Sequence, residues 1–321
     1  VTFLRAVVGS VWLRIAVTVA LLVLVLSGID WDGVRDGLLE GDPWWFVAAV
    51  AAIVAALVIG ALRWRALLEI AGIHLSVSQL GRVYAVSTFS QTFLPTTVGG
   101  DVARSLLVTR NGPILARTAS TVVVDRAGGL AGLLAVAWIA IAAGSGPVPR
   151  HTVAGLAWAT LAVGLGAAVV IVLLLRRPAW FMRLIPARAF DTARNAGRVA
   201  HDVVRNPGAL VVLLATSVVF QALVSFQVWA LARSLGDHPS FGAAAVTLTL
   251  VTFATLIPLS IGGFGIREGS YVVLLASVGI STTNATLISL GSVVVLLIAS
   301  LPGAVLMAVY GMRPALEQTP T

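Results

Sequence analysis

The chain has 321 residues, of which 59% are hydrophobic and 11% charged, with a mean hydropathy of +1.00, and this composition excludes an ordinary water-soluble domain. The net charge of +8 comes entirely from arginine, since lysine does not occur; in so apolar a chain that excess marks cytoplasmic loops rather than a nucleic-acid surface. With no cysteine, disulfides, thiolate metal sites and cysteine nucleophiles are excluded.

The length admits roughly six to eight membrane-crossing helices at about 20 apolar residues each. The first, "WLRIAVTVALLVLVLSG" (12–28), follows Arg5 and Arg14. A basic start and short apolar core also fit a signal peptide, but no A-x-A-like cleavage pattern follows, so a retained span is expected. The loop 30–43 holds five acids against one arginine, which suits the outer side and puts the amino terminus inside. Next comes a span over 44–62, then "RWR" with Glu69 and Arg82 around a short inner loop. Further plain spans read at 118–143, 152–175, 209–232 and 285–310. Two regions, 78–117 and 240–282, are each too long for one crossing and carry proline and glycines near the middle. Each is expected to enter the membrane and return as a broken helical hairpin, giving an all-α polytopic membrane protein with about six full spans and two such hairpins.

Topology favours the hairpins. If 83–98 crossed completely, the loop 176–206, with seven arginines against two aspartates, would face outward, against the positive-inside rule. If 78–117 returns to its starting face, that loop and the carboxyl terminus are both cytoplasmic.

The two interrupted regions share a pattern. "TFLPTTVGGDVAR" (92–104) and "TLIPLSIGGFGIR" (255–267) both read T-x-x-P-x-x-x-G-G-x-x-x-R, at a constant shift: 258 − 95 = 163 and 267 − 104 = 163. Upstream, "WRALLEIAG" (64–72) matches "VWALARSLG" (228–236) at 164. The repeat spans about 44–143 and 209–310, and by the topology above the copies are inverted in the membrane, a design that places a binding site near the midplane and alternates its access. A purely structural scaffold left by duplication is the alternative.

Pro95 and Pro258 end the entering helices, while Gly99, Gly100, Gly262 and Gly263 let the chain turn. Irregular backbone at this depth needs protein or water around it. Asp101 is expected to cap the returning helix, with Arg104 in its first turn at an anion-attracting helix start; Arg267 takes the matching place in the second copy and Glu268 adds a carboxylate. A central arginine or aspartate costs about 2.5 to 3.5 kcal/mol on insertion scales, so these groups must pair or line a wet cavity. Salt bridges pinning the hairpins and a polar pathway for substrate both satisfy that demand. Asp125 and Arg126, in "VVVDRAGGLAGLL", join the candidates; neighbours on a helix do not face each other, so each needs its own partner, Arg104 being the natural one for Asp125. Gly128, Gly129 and Gly132 point to close helix packing, and Gln91 and Gln221 to links between helices.

His74, His151, His201 and His238 read as loop residues on opposite faces, so neither a metal site nor a cofactor is expected. No G-x-x-x-x-G-K-[ST] loop occurs, so transport by this chain runs downhill or on a gradient coupled through Asp101, Asp125 or Glu268. In "FDTARNAGRVAHDVVR" (190–205), Arg194, Arg198, His201 and Arg205 draw a basic stripe on a helix, fit either for anionic headgroups at the membrane surface or for solvent. Trp180 and Phe181, near Arg176 and Arg177, read as interfacial anchors.

The blocks "TFLPTTVGGDVARSLLV", "VVVDRAGGL" and "IPLSIGGFGIREGSYVVL" resemble the membrane domain of the lysylphosphatidylglycerol synthase family, the flippase-like half of the multiple peptide resistance factor, over nearly the whole chain. The family often has Glu-Arg where this chain has Asp125-Arg126. The resemblance implies movement of a lipid between leaflets of the bacterial inner membrane. Only eleven residues follow Tyr310, so the aminoacyl-transfer domain of the full-length relatives, and with it synthesis of aminoacylated lipid, is not expected. The expected activity is therefore that of a non-enzymatic translocase of an anionic or phosphate-linked lipid, received by Arg104 and Arg267 and balanced by Asp101, Asp125 and Glu268. Its partners would be membrane phospholipids and no nucleic acid, with a second copy of the chain and a separate lipid-modifying enzyme left open. An ion-coupled transporter of a small solute and an accessory protein without transport are the alternatives. A lipid-phosphate enzyme would need converging bases or nucleophiles, and no such cluster stands out.

Overall fold

The computed structural model describes residues 41–93, 99–109, 112–144, 148–176, 187–256, 263–311 and 313–316. Among them are ten helices and no strand: α1 (Pro43–Ile70), α2 (Val77–Phe93), α3 (Gly99–Val108), α4 (Gly112–Ala142), α5 (Arg150–Arg176), α6 (Ala187–Arg205), α7 (Pro207–Ser234), α8 (Phe241–Leu256), α9 (Ile266–Ala276) and α10 (Thr282–Tyr310). Helices α1, α4, α5, α7 and α10 each contain a stretch long and apolar enough to cross a membrane. The protein is an all-helical, multi-pass membrane protein. The span expected at 12–28, and Trp180 and Phe181, lie outside the described residues.

The interrupted regions form two pairs of shorter helices, α2 with α3 and α8 with α9, each pair packed together. The helix breaks themselves, with Pro95, Pro258 and Gly262, lie outside the described residues; Gly99 opens α3, and Gly263 stands just ahead of α9 at φ +77. A side chain at Gly263 would need that left-handed backbone and would also press on Thr255, so this turn requires glycine.

Helices α1 and α7 have the same length and the offset seen in the sequence, 207 − 43 = 164. Each begins with a polar side chain capping the first turn and a proline at the first helical position: the Asp42 carboxylate accepts from the Trp44 N–H at 2.9 Å, and the Asn206 amide oxygen from the Ala209 N–H at 3.2 Å. Each is followed by a positive-φ glycine, Gly72 or Gly236. The two helices pack along their lengths and run antiparallel. The Asp42 N–H donates to the Ser234 carbonyl at 2.9 Å, Trp45 meets Trp229 edge-on at 5.2 Å, and Arg63 reaches Ser217 at 3.3 Å. Around this pair, α4 packs on α8 and α10 packs on α2. Small residues permit the approach: a Cβ at Gly132 would lie 2.6 Å from the Ser217 carbonyl oxygen, and one at Gly303 would run into the Ala85 carbonyl.

Two sequence expectations need correction. Helix α1 does not end at 62 but continues to Ile70, and Arg63, Trp64, Leu67 and Leu68 are buried within it. Helix α6 turns its apolar face to the bundle. Ala196, Val199 and Val203 of that face pack against Leu67, Val124 and Leu213 of the bundle, and Ser120 donates to the Thr192 carbonyl at 3.0 Å. Small side chains that would anchor poorly in a bilayer fit closely between helices. Arg194, Arg198, His201 and Arg205 face outward from it. His151 and His201 accordingly lie in helices, not loops.

Candidate functional site

Helices α1, α3 and α4 bring five charged side chains together beside a cavity of about 500 Å3. The Arg63 Nε donates to Asp125 Oδ1 at 2.7 Å, and Arg104 Nη2 lies 3.2 Å from both Asp125 Oδ2 and Asp101 Oδ1. Arg126 Nε donates to the other Asp101 oxygen at 2.7 Å. Asp125 and Arg126, adjacent on α4, thus reach different partners. Arg63, Arg104 and Asp125 are almost fully buried, so the network is held away from lipid.

Aromatic rings complete the cage. The Arg104 guanidinium stacks 4.8 Å over Trp64 and lies 5.6 Å from the Tyr84 ring centre, while Arg63 lies 5.2 Å over Phe220. The Trp64 indole N–H is spent on Thr121 Oγ1 at 3.0 Å, which fixes the ring plane against Arg104. Arg63 also donates to Ser217 Oγ at 3.3 Å, so α7 takes part in holding it.

Arg126 differs from the other two arginines. Its side chain is 51% exposed, against 6% for Arg63 and 7% for Arg104, and it lines the cavity. Three arginines face two aspartates, so with all five ionised the site holds one surplus positive charge. The remaining lining is mixed: Gln91, Ser87, Thr88 and Gln221 are polar, while Leu57, Leu133, Leu256 and Leu296 are apolar. Gln221 ties α7 to α4 by donating to the Gly129 carbonyl at 3.1 Å. Gly100 admits the α2–α3 approach, since a Cβ there would sit 2.5 Å from that of Gln91. Gln91, Arg126 and Leu256 are exposed, which places the mouth of the cavity beside them.

The structure gathers Asp101, Arg104, Asp125 and Arg126 but does not bring Arg267 and Glu268 to this cavity. Glu268 is 1% exposed; its Oε2 accepts from the Gly265 N–H at 2.6 Å, reaching back over the start of α9. Its Oε1 accepts from Arg267 Nη2 at 2.6 Å, and Ser289 Oγ lies 3.5 Å away. Arg267 stacks at 4.8 Å on Phe264. A carboxylate three residues into a helix pairs locally with the adjacent arginine, away from the cavity between α1, α3 and α4. Asp101 likewise is not a cap: it is the third residue of α3, and its oxygens take Arg104 and Arg126 instead. Arg104 therefore lies in the second turn of α3, away from the free amides of the first. Arg63, Trp64, Tyr84 and Ser217 were not anticipated as site residues. The offset does carry a signal for one of them, since 63 + 164 = 227 sets Arg63 opposite Gln227, a buried polar residue inside an apolar helix.

A comparison with curated proteins gives no match. A family model described as the lysylphosphatidylglycerol synthase TM region matches residues 11–303, most of the chain and all of the site just described. The chain belongs to the lysylphosphatidylglycerol synthase transmembrane-region family.

Proposed function

We propose that the protein moves an anionic or phosphate-linked lipid between the leaflets of the bacterial inner membrane, with both termini in the cytoplasm. The observation that carries this reading is the surplus cation of the site, presented on half-exposed Arg126 beside a leucine-lined cavity. Arg63 and Arg104 are locked by carboxylates and rings and supply positive potential rather than a free hand. A headgroup phosphate takes the exposed end of Arg126 in a charge-assisted hydrogen bond, while the leucines receive the first methylenes of the lipid. A cavity of about 500 Å3 falls in the range that seats a small ligand, so acyl chains stay in the bilayer while the headgroup crosses.

The antiparallel α1–α7 pair and the repeat offset support two inverted halves that alternate around this site. The acidic loop at 30–43 and the basic loop at 176–206 support the orientation. No reaction is assigned to the chain, and Asp101 and Asp125 are the carboxylates available for coupling to a gradient, Glu268 being committed to the start of α9.

The test is a reconstitution. Purified protein in liposomes with labelled anionic or zwitterionic phospholipid is followed for the rate at which each label becomes accessible from the far leaflet. Faster movement of the anionic lipid is expected. No acceleration of either lipid by folded protein overturns the reading, and uptake of a soluble anion without lipid movement replaces it with solute transport.

A further inference from the structure

The two hairpins end differently. The last carbonyls of a helix need donors from outside it. Helix α9 finds them in its own chain: the Gly279 N–H donates to Ala276 O and the Ile280 N–H to Leu275 O, both at 3.1 Å, with Gly279 at φ +90. Helix α3, which carries Asp101 and Arg104, takes donors from the far end of the chain. The Ala315 N–H donates to Leu107 O at 2.7 Å and the Leu316 N–H to Val108 O at 3.1 Å. In return Gln79 of α2 donates to the Ala315 carbonyl at 3.1 Å. Ala315 is 0% exposed and belongs to the same buried cluster as Leu107, Val108 and Trp64, the ring beneath Arg104.

We propose that residues 313–316 are a strap that sets the position of α3 and, through it, the Asp101 and Arg104 contacts at the cavity mouth. With the strap seated, α3 is tied at its carboxyl end to α2 and to Trp64. Released, α3 loses two of its terminal hydrogen bonds and is free to shift against α4, which exchanges the partners of Asp101. Ala315 is in this sense a positioning residue acting through its backbone N–H, and the proposal does not depend on what the cavity binds.

Hydrogen exchange on the full chain in lipid nanodiscs tests it, comparing peptides that cover α3 and α9. Ala315→Pro removes the N–H that serves Leu107 and is expected to speed exchange in α3 about tenfold, as loss of one to two net hydrogen bonds predicts, with α9 unchanged. Ala315→Gly keeps the N–H and is expected to hold α3 within about twofold of wild type, which separates the bond from the side chain. Should Ala315→Pro fail to fold, Gln79→Glu removes the amide donor to Ala315 while keeping an oxygen for the Ser76 N–H, and is expected to raise α3 exchange about threefold. Unchanged α3 exchange in Ala315→Pro, or in Gln79→Glu where that variant stands in, overturns the strap, as does an equal rise in α3 and α9. Acceleration by Ala315→Gly equal to that by Ala315→Pro overturns the backbone assignment.

Discussion

The amino- and carboxyl-terminal halves place different chemistry at matching positions. On the inner face of α1, Arg63 is joined to Asp125 of α4 at 2.7 Å; on α7 the matching Gln227 donates to Ser292 of α10 at 2.9 Å. The geometry is retained while an ion pair becomes a neutral hydrogen bond. Trp64 has Val228 as its counterpart, so the ring that backs Arg104 is missing behind Arg267. The chain neighbour of Ser292 is Val293, whereas that of Asp125 is Arg126. The difference teaches that the partners supplied by neighbouring helices decide whether the arginine of the shared motif joins a site or closes a local ion pair.

The largest effect should come from removing the charge at the centre of the first half. Asp125→Leu leaves Arg63 buried without its carboxylate and Arg104 with Asp101 alone, and should cost about 3 to 5 kcal/mol, read as a large fall in the thermal midpoint in detergent. Writing the second half's chemistry into the first, as Arg63→Gln with Asp125→Ser, should recover most of that loss, because a buried ion pair replaced by a neutral pair is often close to neutral. If the double variant is no more stable than Asp125→Leu, the equivalence of the two pairs is wrong.

Arg126→Gln comes next and separates stability from activity. The side chain is half-exposed, so the midpoint should hold, while movement of anionic lipid falls about tenfold to a hundredfold, the worth of a charge-assisted hydrogen bond of about 1.5 to 3 kcal/mol. Val293→Gln, beside Ser292 in the second half, should leave the rate unaltered, and equal losses in both variants would erase the asymmetry. Gly132→Ala presses a methyl group on the Ser217 carbonyl and should destabilise by about 1 to 3 kcal/mol, checked by the midpoint. The last, Ser292→Ala, removes the neutral hydrogen bonds that its Oγ accepts from Gln227 and donates to the Ile288 carbonyl, and should cost about 1 to 2 kcal/mol in the same measurement.

Much of this was legible in the chain itself. Long apolar runs marked the long helices, and the two regions too long for one crossing hold the two pairs of shorter helices. Asp101, Arg104, Asp125 and Arg126 stood out because charge inside an apolar run is costly. Arg63 was hidden by the opposite effect. At the end of an apolar window an arginine reads as the start of a loop, and only the packing of Trp64, Leu67 and Leu68 shows that the helix goes on. Arg267 and Glu268 were read as a ligand site because spacing reveals that two charges are near each other but not whether they satisfy one another. The burial of α6 on the bundle was equally invisible, since alanine and valine on one face fit a helix neighbour as well as a membrane surface.

The seam between α1 and α7 has a consequence for how the polypeptide can be assembled. Each of these helices finds its most extensive partner in the opposite half, and the Asp42–Ser234 hydrogen bond joins the start of one to the end of the other. A gene cut between residues 176 and 187 would yield two fragments, each displaying one face of that seam to lipid. Produced together, they should recognise one another and co-purify; produced singly, each lacks the most extensive partner of its central helix.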